Sequence, residues 1–82
     1  MQLKICGIKT IASAKTALPF KPDYLGLIFV PSSPRKVTIK TAQKIIALAK
    51  KNQTKTVAVF QDQLLDEVLK ILKIIQVDYV QL

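Results

Sequence analysis

Two spacings of apolar residues take turns along the chain. Leu3-Lys4-Ile5-Cys6 reads as a short strand that breaks at Gly7, where a missing Cβ lets the backbone bend. Ile11, Ala14, Ala17 and Leu18 then recur at helical spacing, so a helix is expected from Ile11 to about Leu18. Thr10 is its expected cap, and Pro19 and Pro22 end it. Tyr24–Val30 is almost wholly apolar, as in strands covered on both faces, and such strands belong to parallel sheets. Gly26 lies inside that run and marks a close approach by another group.

The second half repeats the scheme. Pro31 to Val37 is a loop stiffened by two prolines. Thr38 is expected to cap a helix from Ile39 to about Lys51, with Ala42, Ile45, Ile46 and Ala49 inward. Thr56–Phe60 is a third strand. Asp62 is the expected cap of a third helix, Leu64 to about Ile75. The apolar face of that helix is Leu65, Val68, Leu69, Leu72 and Ile75. Asp78–Leu82 is a fourth strand. The order β-α-β-α-β-α-β, with connections long enough for parallel crossovers, makes residues 1–82 a single α/β unit. A doubly wound sheet and a section of a (β/α)₈ barrel both fit. The chain has no Gly-x-Gly-x-x-Gly or phosphate-loop motif, which weighs against a nucleotide-binding sheet.

Composition narrows the function. The chain has 82 residues, half of them hydrophobic, and so short a chain buries little more than half of its unfolded surface. Apolar surface is therefore left for something else to cover. No run reaches the roughly 18 apolar residues of a membrane span, and no signal-peptide pattern opens the chain. A single cysteine fits a reducing cytoplasm, and with no histidine a zinc site is excluded. The formal net charge of +8 attracts anions, but the lysines are scattered, which makes nucleic-acid binding a poor fit.

Two side chains stand out chemically. Cys6 shares one strand face with Lys4 and is followed by Lys9, and neighbouring cations favour a reactive thiolate. The other reading of Cys6 is a small buried hydrophobe. Arg35 is the only arginine among thirteen basic residues. Its planar fork suits a carboxylate or phosphate, although a loop charge can also be merely solvated.

The combination resembles the amino-terminal part of the phosphoribosylanthranilate isomerases, (β/α)₈-barrel enzymes of tryptophan biosynthesis. The resemblance rests on Lys4-Ile5-Cys6-Gly7-Ile8, on Leu25-Gly26 through Phe29, and on Ser33-Pro34-Arg35 with Val37. It continues through Val57-Ala58-Val59-Phe60 and Asp78-Tyr79-Val80-Gln81-Leu82. It implies the first half of a (β/α)₈ barrel and an Amadori rearrangement of a phosphorylated small molecule, without cofactor or metal. By the same resemblance Cys6 is the general base, Arg35 holds the anthranilate carboxylate, and Gln81 lines the substrate pocket. Family members continue past the final leucine with His-Gly and four more βα units. The general acid on strand five and the phosphate-binding loops lie in that continuation. Lys9 stands where threonine is usual, and Ile39-Lys40 where Pro-Glu is usual. The 82 residues alone are therefore expected to be inactive and to self-associate through open sheet edges. An inactive truncated fragment and a small basic α/β binding module are the rival readings.

Overall fold

A computed structural model describes residues 2–82. Four strands carry the architecture: β1 (Lys4–Cys6), β2 (Tyr24–Ile28), β3 (Lys55–Val59) and β4 (Tyr79–Gln81). Three helices connect them: α1 (Ile11–Ala17), α2 (Ile39–Lys51) and α3 (Leu65–Ile74). The strands form one sheet in the order β1-β2-β3-β4, and every pairing is parallel. Consecutive order with a helix in each crossover is the arrangement of successive barrel units.

Alternation divides the sheet into two faces. Leu25, Leu27 and Ala58 point to the helices and are fully buried. They pack in one core with Ala14 and Ala17 of α1, Ala42, Ile45 and Ala49 of α2, and Val68 of α3. Small residues on α1 and α2 let those helices lie close to the sheet. Partners in parallel strands share a face, so the register assigns the other side to Lys4, Cys6, Tyr24, Gly26, Lys55, Val57, Tyr79 and Gln81. That side is concave and largely open.

The helix starts at Thr10 and Thr38 are as expected. The Thr10 hydroxyl accepts from the Ser13 amide at 3.0 Å and the Thr38 hydroxyl from the Thr41 amide at 3.2 Å. Elsewhere the structure corrects the element ends. One 3₁₀ turn, Leu18–Phe20, takes up Pro19 after α1. Strand β2 stops at Ile28, before Phe29 and Val30. Asp62 does not cap α3. It has a left-handed backbone, φ 55°, and Leu64 occupies the cap position without a side-chain bond. Helix α3 is held instead by burial of Val68 and, just beyond its end, Ile75. Its expected apolar face is only half used: Leu65 and Leu69 are 68% and 46% exposed. No helix among the described residues is long and apolar enough to cross a membrane.

Two aspartates register the amino ends of the strands. Asp23 accepts from the Leu3 amide at 2.7 Å, and Asp78 accepts from the Thr56 amide at 2.9 Å. Each precedes a tyrosine on the concave face, and the Tyr24 and Tyr79 rings meet edge to face at 5.8 Å. Alternate strands share a layer in a barrel interior, which is why β2 and β4 can bring these rings together.

Gly26 confirms the close approach read from its place in the strand. A Cβ there would lie 2.7 Å from the Cys6 sulfur and 3.2 Å from its Cα. The sulfur can rotate away, but the backbone cannot. Gly26→Ala is expected to cost about 1–3 kcal/mol by overpacking and to displace the thiol. Asp78→Ala strips the Thr56 amide of its partner and is expected to cost about 1–3 kcal/mol. Urea unfolding midpoints check both, and unchanged midpoints would contradict this account of the sheet.

Candidate active site

The residues singled out in the sequence lie at or near one rim. Cys6 is the last residue of β1, and Gly7 and Ile8 then donate to the Gly26 carbonyl at 3.0 and 3.4 Å. These bonds carry β1 into its loop in register with β2. Cys6 is exposed, so the buried-hydrophobe reading of the thiol does not hold.

Gly7 has φ +82°, a conformation that L side chains rarely adopt. Its missing side chain also makes room. The space a Cβ would fill lies 2.8 Å from Arg35 Cδ, 3.2 Å from Nη1 and 3.4 Å from Nε. The Arg35 side chain therefore rests on the backbone of the residue that follows the thiol. The two groups are 29 positions apart in sequence and neighbours in space because parallel strands release their loops at the same end.

The loop that carries Arg35 is tied at several points. Val37 donates to Ile28 O at 2.9 Å and Ser33 to Val30 O at 3.0 Å. The Arg35 amide donates to Ser33 Oγ at 3.1 Å. Lys9 Nζ donates to Pro34 O at 3.1 Å, so its ammonium bridges the first loop to the second. The sequence reading set Lys9 beside the thiol; its described contact is this carbonyl. The bond still adds positive charge to a rim already carrying Arg35 and Lys36.

Gln81 ends β4 on the concave side. Its Oε1 accepts from Lys4 Nζ at 2.7 Å, a bond that crosses the concavity from the first strand to the last. Sequence reasoning placed Lys4 on the face of Cys6 but missed this contact. Strand alternation puts Lys4 and Gln81 on one face, yet only the curvature of the sheet brings them together. Deeper on the same face, Lys55 Nζ donates to the Tyr79 hydroxyl at 3.4 Å and stands 5.6 Å from its ring centre. That hydrogen bond comes first in holding the Lys55 ammonium above the ordinary lysine value, followed by charge attraction to the Tyr79 and Tyr24 phenols.

Two clefts among the described residues lie elsewhere. One of about 470 Å³ sits at the amino ends of the strands, against Pro22, Asp23, Thr54 and Lys55. Another, of about 500 Å³, lies between α2 and α3, against Phe29, Val37, Ile39 and Ile71. Neither includes Cys6, Arg35 or Gln81, and all three side chains are exposed among the described residues. They combine a nucleophilic or basic sulfur, a guanidinium and an amide within the span of four strands.

The family model described as N-(5′-phosphoribosyl)anthranilate isomerase matches residues 3–82. The N-(5′-phosphoribosyl)anthranilate isomerase of Leptospira borgpetersenii serovar Hardjo-bovis is 38% identical over 82 residues, covering 98% of this chain and 38% of the relative. That of Campylobacter jejuni is 37% identical, covering all of this chain and 41% of the relative. The crystal structure of the Thermus thermophilus phosphoribosyl anthranilate isomerase superposes with a TM-score of 0.85 at 30% identity, covering 98% of this chain and 40% of that one. A phosphoribosyl anthranilate isomerase solved with reduced 1-(o-carboxyphenylamino)-1-deoxyribulose 5-phosphate superposes at 0.84 with 25% identity, covering 98% of this chain and 41% of that one. The chain thus spans about two fifths of the length of its relatives. The four parallel strands and three connecting helices match part of a (β/α)₈ barrel, and the chain belongs to the N-(5′-phosphoribosyl)anthranilate isomerase family.

Proposed function

We propose that these residues form the Cys6 side of an active site for the isomerisation of N-(5′-phosphoribosyl)anthranilate, an aldose-to-ketose rearrangement. The observation that carries the reading is the packing of Arg35 on Gly7, directly after Cys6. It sets a fork for a carboxylate beside a group able to take a proton.

In the ring-opened substrate the anthranilate nitrogen is joined to C1′ as a protonated imine. The Cys6 thiolate takes the proton from C2′. The C2′–H electron pair becomes a C1′–C2′ double bond, and the imine pair returns to nitrogen. The resulting enolamine becomes the ketone when C1′ is protonated and the C2′ hydroxyl proton is lost. Arg35 binds the anthranilate carboxylate through two parallel N–H donors, fixing the aromatic end of the substrate. Gln81, steadied by Lys4, lines the pocket wall across the concavity. Lys9, Arg35 and Lys36 raise the local concentration of an anionic substrate. The work of each group is positioning and proton transfer; C2′ is oxidised as C1′ is reduced within the substrate, so the scheme needs no external oxidant or reductant.

Ring opening also needs a proton donor to the ribose ring oxygen, and the resemblance puts that acid on a fifth strand. Residues 1–82 by themselves are expected to turn over at or near background, since loss of general acid catalysis alone costs about 10²–10⁴-fold. Turnover by the purified chain close to that of a full-length relative would contradict this.

The residue roles are tested in a chimera with residues 1–82 in place of the matching segment of the Campylobacter jejuni relative. Cys6→Ala is expected to lower kcat by about 10²–10⁴-fold. Arg35→Lys keeps the charge but loses the fork, and is expected to raise KM by about tenfold or more. Full turnover by Cys6→Ala would sink the assignment of the base.

A further inference from the structure

Arg35 is exposed, yet the direction in which its side chain leaves the backbone is set at one peptide unit. That unit joins Pro34 to Arg35 and is planar, so its carbonyl oxygen and its amide hydrogen turn together. The Pro34 ring already fixes φ on the near side. The Arg35 amide donates to Ser33 Oγ at 3.1 Å, and the Pro34 carbonyl accepts from Lys9 Nζ at 3.1 Å. Both ends of one plane are therefore held, the first from within the loop and the second from outside it.

The outside hold stands apart from the rest. Ser33 donates to Val30 O and Lys36 donates to Ser33 O, so these bonds stay inside the loop. Among the described residues, Lys9 alone ties residues 31–34 to another segment by a hydrogen bond. Lys9 itself springs from a fixed base. Gly7 and Ile8 donate to the Gly26 carbonyl, Ile8 is buried, and the Thr10 hydroxyl caps α1 through the Ser13 amide. With the backbone anchored on either side, the lysine stem spans the distance between the two loops.

We propose that Lys9 is a positioning residue: its bond to the Pro34 carbonyl sets the peptide plane from which the Arg35 fork reaches the substrate carboxylate. The inference rests on the isomerase reading of Arg35 and adds a residue that acts through Arg35 without touching substrate. Lys9 lowers KM by ordering the fork in advance and leaves proton transfer at Cys6 unchanged.

The test uses the chimera with the Campylobacter jejuni relative. Lys9→Met keeps an apolar stem and removes the donors. It is expected to raise KM about three- to tenfold, the weight of one hydrogen bond, with kcat within about twofold of the parent. Lys9→Arg restores a charged donor and is expected to bring KM back to within about twofold. In an Arg35→Lys background, Lys9→Met is expected to change KM by less than about twofold, because the fork it serves is gone. The increase is expected to persist at about 1 M salt, where attraction between separated charges is screened. Lys15→Met removes an exposed positive charge from α1 and is expected to leave KM unchanged. Amide hydrogen exchange across residues 31–37, read by mass spectrometry, needs no turnover and is expected to be about threefold or more faster in Lys9→Met. A raised KM in Arg35→Lys beside an unchanged KM in Lys9→Met overturns this inference and spares the isomerase reading. An unchanged KM in Arg35→Lys overturns both. Additive increases, an increase that vanishes with salt, or exchange as slow as in the parent would each overturn the positioning role.

Discussion

All four strands run in the same direction, so all three βα loops leave from one rim. A parallel pair cannot be joined by a tight turn, and each crossover must return along a helix before the next strand begins. Chemistry accumulates at the carboxyl ends and registration at the amino ends. Cys6 and the Arg35 loop occupy the first; Asp23 and Asp78 occupy the second. Had β1 or β2 alone been reversed, the thiol and the guanidinium would stand at opposite ends of the sheet.

The amino-terminal end shows how a repeated unit solves one problem twice. Asp23-Tyr24 and Asp78-Tyr79 each enter a strand with the carboxylate on a neighbouring backbone amide and the ring on the concave face. A carboxylate bond to an amide is stronger than a neutral one and has one geometry, so it sets register where β1 and β4 are only three residues long. The phenols are then placed by register alone, and their edge-to-face contact follows.

Much of this was legible in the sequence, and what was not has physical causes. Thr10 and Thr38 cap helices because a hydroxyl before an apolar stripe has one good use there. Asp62 resembled such a cap but lies in a turn with φ 55°, and α3 starts from Leu64 with no side-chain bond. Local propensity loses there to the burial of Val68 and Ile75. Leu65 and Leu69 fit the helical stripe, yet nothing in these residues covers them, since periodicity reports what is apolar and not what is available to pack. The sequence placed Cys6 and Arg35 correctly at one rim through strand order. It could not show that Arg35 lies on Gly7, or that Lys4 reaches Gln81, because both contacts depend on loop shape and sheet curvature.

Gly7 links the backbone to the chemistry. One missing Cβ serves two needs: it allows φ +82° at the strand end and leaves a bed for the Arg35 side chain. An exposed arginine normally loses several rotamers when it binds an anion, and that loss weakens binding. Here the loop behind it is already fixed through Ser33, Val37 and the Lys9 bridge to Pro34. Part of the ordering is complete before any ligand arrives. The geometry of this rim is therefore defined by its backbone bonds. The alignment of thiol and guanidinium is set by main-chain structure around two glycines more than by contacts between the reactive side chains.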